Sequence, residues 1–129
     1  MSTEPKASHV QLFSLTSTGR IHWRLLSGNN REMGRSVAGS ADPESARLAV
    51  KQAQTALAEF EAKVRRVREH QWGWELLERG TPVISAGHLF DRMIRCEQGL
   101  AYFLDSFADA PVGAGLMVSG ARRWRSGRT

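Results

Sequence analysis

One stretch of this chain occurs twice, and that limits the fold more than any bulk property does. The first copy runs through Trp23, Leu25 and the turn Ser27-Gly28-Asn29-Asn30 into a helix bearing Ala46, Ala49, Val50, Ala53 and Leu57. The second runs through Trp74, Leu76 and the turn Glu78-Arg79-Gly80 into a helix bearing Cys96, Gly99, Leu100, Phe103 and Phe107. Each of the five helical positions returns fifty residues later with a small or apolar side chain. A unit of this size alone would bury only about 60% of the surface its unfolded chain exposes. Two units closing one core is the stable alternative, and a single sheet with helices on one face supplies it.

Taken in order, residues 1–9 read as a polar flexible leader containing Pro5. Val10 to Leu15 reads as a first strand and Thr16 to Gly19 as a turn. Arg20 to Leu26 alternates most clearly, with Ile21, Trp23 and Leu25 on one face and Arg20, His22 and Arg24 on the other. Gly28, Asn29 and Asn30 tolerate the positive φ of a tight hairpin, and Glu32 to Val37 is the return strand. Asp42-Pro43 opens a helix, Asp as an acceptor for free N–H groups and Pro at the first helical position. Apolar residues then recur at 46, 49, 50, 53, 57, 60, 64 and 67, which predicts a helix continuing to Glu69.

The second unit begins near Gln71, with Trp72, Trp74 and Leu76 alternating, and Pro82 opening a short strand through Ile84. Asp91 is the expected cap of a helix running to about Phe107. Ala108 to Gly115 reads as linker, Leu116 to Val118 as a short added strand, and Ala121 to Thr129 as too polar to fold alone. The expected organisation is therefore a leader over 1–9, one tandem-repeat domain over 10–112 and a Gly-rich linker with an Arg-rich tail over 113–129. Within the domain, repeat one spans 10–69 and repeat two 70–112.

Several classes of protein are disfavoured. No window approaches the roughly 18 uninterrupted apolar residues of a membrane span, and Met1 to Ser8 lacks a signal-peptide core. The lone Cys96 has no disulfide partner, which suits a cytoplasmic protein. The four histidines, His9, His22, His70 and His88, show no helical ligand spacing. Gly113-Ala114-Gly115 lacks the strand-to-helix setting of a phosphate loop. Glu75 with Glu78, and Glu59 with Glu61, sit at surface-like positions. The expectation is a protein that is not an enzyme and needs no cofactor.

The net charge of +5 is unevenly spread. Residues 1–69 hold 11 Lys/Arg against 7 Asp/Glu, residues 70–112 hold 3 against 6, and the last 17 residues add four arginines and no acid. Lys63, Arg65, Arg66 and Arg68 would face the negative end of the expected long helix, or else form a docking surface. Arg20, Arg24 and Arg35, beside His22, would form a basic stripe on the sheet face that the helices leave uncovered. With the tail residues Arg122, Arg123, Trp124 and Arg125 they form a candidate nucleic-acid surface, guanidinium donors beside a stacking ring. The alternatives are an ordinary wet sheet face and a solubilising tail. Trp23, Trp72 and Trp74 could serve as a stacking platform, but their alternation with polar or small residues places them in the core.

The run Trp23-Arg24-Leu25-Leu26-Ser27-Gly28-Asn29-Asn30-Arg31-Glu32, followed by Ser36 and Ser45-Ala46-Arg47-Leu48-Ala49-Val50, resembles the YegP-like family. That family has an aromatic strand, a turn of glycine and asparagine, a return strand ending in serine, and a helix with alanine and glycine-isoleucine. Arg95-Cys96-Glu97-Gln98-Gly99-Leu100-Ala101 keeps the glycine followed by an aliphatic, whereas Glu78-Arg79-Gly80 is shorter than the family's turn and has no asparagine. The resemblance spans about residues 10–107. It implies small prokaryotic proteins of α+β class with tandem strand-and-helix repeats sharing one antiparallel sheet, helices on one face. Single repeats pair as dimers and double repeats stand as monomers, so monomer or homodimer is expected here. The family is uncharacterised and supplies no catalytic or binding residues. Sequence therefore points to a non-catalytic interaction module that meets a protein partner through the long basic helix or an exposed sheet edge, with nucleic-acid binding as the alternative.

Overall fold

In the computed structural model, which describes residues 7–119, the first three strands form a meander. These are β1 (His9–Leu15), β2 (Ile21–Leu26) and β3 (Glu32–Ser36). Helix α1 (Pro43–Ala56) follows, closed by a single 3-10 turn at Leu57–Glu59. A second meander, β4 (Glu61–Arg68), β5 (Gln71–Glu78) and β6 (Thr81–Ala86), leads to α2 (Met93–Phe107) and a last strand, β7 (Val112–Ser119). The seven strands make one sheet in the order β4-β5-β6-β3-β2-β1-β7.

The two meanders join at the centre, where β3 runs antiparallel to β6 with Arg35 opposite Ser85, Gly34 opposite Ala86 and Ser36 opposite Ile84. All neighbours are antiparallel except β7, which lies parallel to β1. The sheet is therefore mixed, not wholly antiparallel as expected. α2 carries the chain from β6, near the sheet centre, to the outer side of β1, where β7 adds as a parallel strand. The glycines that read as linker, Gly113 and Gly115, lie inside β7. Arg47 on α1 holds this strand by donating to the carbonyls of Gly113 and Ala114, both at 3.0 Å.

Both helices cover the same face. Ile21, Trp23 and Leu25 from β2, Trp74 and Leu76 from β5, Ala46 and Val50 from α1, and Cys96, Leu100, Phe103 and Phe107 from α2 pack into one core. Trp23 stacks on Phe107 at 4.8 Å between centroids, and Phe103 lies between Phe107 and Trp74, 5.0 Å from each. Trp72 and Leu57 pack at its margin, partly buried. Gly34 at the sheet centre lets this aromatic row sit down: a Cβ there would lie 2.7 Å from the Phe103 ring and 2.9 Å from that of Trp74.

Two sequence expectations fail at helix ends. The first helix stops at Ala56, and Phe60 is already extended at φ −78° and ψ 146°. The segment expected to continue it is β4, which pairs along its length with β5. Asp91 does not cap α2; the cap position is Arg92, which makes no side-chain capping bond. Asp42, in contrast, caps α1 as expected, accepting from the Ser45 N–H at 2.7 Å.

Candidate functional site

Chemistry-bearing side chains gather on the sheet face opposite the helices, in two places. The first lies over β1, β2 and β3. Arg24 and Arg35 are cross-strand partners, and their guanidinium carbons stand 4.9 and 5.2 Å from the centroid of Phe13. Phe13 is only 1% exposed although it lies on the uncovered face. The two arginines and the stacked ring of His22, 5.7 Å away, form its lid.

Both guanidiniums are engaged. Arg35 donates to both carboxylate oxygens of Glu32, at 2.5 and 2.8 Å. That hydrogen-bonded carboxylate holds the Arg35 pKa above its ordinary value. Arg24 donates to Glu32 at 3.4 Å and through two nitrogens to Gln11, at 2.9 and 2.6 Å. Glu32 is only 16% exposed, so a ligand competing for Arg35, which holds both of its oxygens, would strand a partly buried carboxylate. Arg20 donates to the Gly39 carbonyl at 2.8 Å and stands apart from this group. At Arg24 and Arg35 the expected stripe is thus a hydrogen-bonded cover over an aromatic ring, two guanidiniums against one carboxylate. Arg122, Arg123, Trp124 and Arg125 lie outside the described residues.

The second place is one of the sheet's two edges, the one formed by β4; β7 forms the other. Among the described residues β4 has β5 as its one strand neighbour, so its outer row of N–H and C=O groups faces away from the sheet. Its register places Lys63 opposite Glu75 and Arg65 opposite Gly73 on the uncovered face. Ala62, Val64 and Arg66, opposite Leu76, Trp74 and Trp72, point to the helix side. Only Val64 is partly buried; the rest of the strand is exposed. Arg65 reaches Glu75 at 3.4 Å while remaining 61% exposed. A pair so wet is worth at most about 1 kcal/mol, so Arg65 is available to a partner in a way Arg24 is not. In the sequence these four cations read as a helix end; the structure places them on an edge strand.

Beside this edge the uncovered face carries a recess of about 210 Å³, lined by Arg65, Val67, Gly73, Ser85, His88 and Leu89. Among the described residues no three His, Cys, Asp or Glu side chains come together as a metal ion needs. His22 and His70 are kept apart by β3 and β6, which lie between β2 and the β4–β5 turn. Cys96 is fully buried, and burial pushes its thiol pKa up, so the side chain acts as a small apolar core group. No helix among the described residues is long and apolar enough to cross a membrane.

No protein-family model matches this chain, and no curated protein does. Two solved structures share its fold. One is yegP from E. coli, a protein of unknown function, similar at a TM-score of 0.65 and 15% identity over 86% of this chain and 95% of that one. The other is the UPF0339 protein SO3888 from Shewanella oneidensis, at a TM-score of 0.64 and 10% identity over 91% of this chain and 97% of that one. The YegP-like resemblance around Trp23 to Glu32 is thus matched by a common α+β fold.

Proposed function

We propose that this protein is a non-catalytic interaction module that binds an extended, acidic polypeptide segment along β4 as an eighth strand. The observation that carries this is the edge itself: an eight-residue strand with a free outer ladder, bearing Lys63, Arg65, Arg66 and Arg68 against a single acid, Glu61. Added strands take affinity from main-chain hydrogen bonds and selectivity from alternate side chains. Cations on an edge also discourage pairing with like-charged chains, and here they disfavour a second copy's β4 as the partner. In the same reading the chain is a tandem repeat of β-β-β-α units. The central Arg35–Ser85 pair, residues fifty apart, supports this.

Nucleic acid is the weaker occupant. Phosphates call for cations ranged along one surface, whereas the β4 cations alternate between faces and Arg24 and Arg35 are held by Glu32. The test is calorimetric titration of the full chain with an eight-residue peptide of alternating Glu and Thr, and separately with an oligothymidylate. The peptide is expected to bind, and the double variant Arg65→Glu/Arg66→Glu to weaken it about tenfold or more, since each lost charge contact in a partly desolvated interface is worth about 1 kcal/mol. Binding of the oligonucleotide alone, or peptide binding indifferent to the double variant, overturns the proposal.

A further inference from the structure

The place on the sheet that forms this recess is filled differently in the two meanders. In the first, the residue at this place on the sheet is His22, and the loop residue over it is Gly39, where a Cβ would come within 2.7 Å of the His22 ring. In the second the sizes are exchanged. The sheet residue is Gly73, and Leu89 lies over it, 3.3 Å from where a Gly73 Cβ would be, with Val67 at 3.4 Å. The exchange does not close the surface: Val67 and Leu89 stay 47% and 41% exposed. What remains is an apolar-floored hollow, rimmed by Arg65 and its partner Glu75, opening beside the free strand.

We infer that this hollow is the specificity pocket of the β4 edge and takes one aromatic side chain of the acidic strand that docks there; the inference rests on the edge-binding function proposed above. Side chains of an added strand alternate between faces, so every second one lies on the uncovered side beside Lys63, Arg65 and Val67. The added strand would lie two strand spacings, about 10 Å, from β5, so an aromatic side chain beside Val67 leans over β4 and its ring enters between Val67 and Leu89, toward the space above Gly73. A side chain at Gly73 would fill that space. Arg65, largely exposed and weakly tied to Glu75, can lie over the ring face. His88, whose ring is 4.3 Å from that of Phe90, stands at the far wall. The ligand class is therefore an extended peptide with acidic residues flanking a Phe, Tyr or Trp on the uncovered side.

The test compares two acidic octapeptides, identical but for Phe or Ala at the position beside Val67, titrated into the full chain and into two variants. Partial burial of the ring predicts about tenfold tighter binding of the Phe peptide to the unmodified chain. Gly73→Val fills the floor and Leu89→Ser removes a wall. Each is expected to bring the Phe peptide to the affinity of the Ala peptide while leaving the Ala peptide unchanged, and the far-ultraviolet spectrum of each variant reports that the sheet is intact. Both peptides binding equally well to the unmodified chain overturns the pocket but leaves the edge reading standing. Neither binding overturns both. A Phe preference that survives both variants places the ring elsewhere and also refutes the pocket.

Discussion

Gly99 leaves room on α2 for the ring of Phe90: a Cβ there would lie 2.6 Å from the ring tip. Phe90 in turn is fixed by a two-way backbone bridge to Trp72, at 2.7 and 2.8 Å. The first half solves the same contact with a small bridge residue, Ser40 paired to Ile21, and so tolerates Ala49 where the second needs glycine. Gly99→Leu is expected to destabilise the protein by about 1–3 kcal/mol through overpacking. In a Phe90→Ala background the added penalty should shrink, because the two positions are in contact and do not add independently. Chemical denaturation of the four proteins in this cycle checks it; additive effects contradict the contact. The need for a small residue at Gly99 is legible in the sequence, but its partner is not: the space is taken by Phe90, not by the sheet itself.

Asp42 offers a pH test at the same scale. Its carboxylate accepts the Ser45 N–H, and that bond is the main cause holding its pKa below the ordinary value. A folded pKa below the unfolded one gives stability that is present above the unfolded value and lost as pH falls through the folded one. Asp42→Asn keeps an acceptor at the cap without the titration. Its stability is expected to stay near that of the parent at neutral pH and to fall less steeply below pH ~4. Parallel acid limbs for the two proteins contradict the assignment.

At the scale of elements, the five strands with clean alternation or turn punctuation, β1, β2, β3, β5 and β6, are legible in the sequence, as is each helix start to within a residue or so. β4 is not, for a physical reason. Phe60, Val64 and Val67 happen to extend the spacing of the α1 apolar stripe, and no Gly or Pro marks the stop after Ala56. The true alternation, Ala62, Val64 and Arg66 toward the helices, is then broken by a register shift between Arg66 and Arg68. An edge strand wet on most sides needs few apolar residues, so its period is faint. A cue is present: the first unit reads as three strands before its helix, while only two read as strands before the second helix. Only three of the eight residues of β7 read as strand in the sequence because Gly113 and Gly115 resemble linker; pairing to β1 and the Arg47 bonds to its carbonyls override that composition. The candidate site was legible as charge and misplaced as geometry. The cations at 20, 24 and 35 are visible, but their engagement depends on the register of β1, β2 and β3 for Gln11 and Glu32, and on the loop after β3 for Gly39, neither of which a local pattern encodes.

For the whole molecule, the shared core and the β4 edge are two sides of one arrangement. Helices bury one face, the two meanders meet at β3 and β6, and β7 occupies the sheet edge beside β1. The β4 edge is left with cations and an open ladder, and the central claim is that an acidic strand completes it. Amide hydrogen exchange over the full chain, with and without the acidic Phe peptide, tests this most directly. Alone, amides of residues 61–68 should alternate between protected, where they bond to β5, and rapidly exchanging, where they face outward. With peptide, the outward amides should become protected while those of β7 and of the Arg24–Arg35 region stay as they were. Outward β4 amides that exchange unchanged at saturating peptide, or protection that appears around Arg24 and Arg35 instead, would contradict the account.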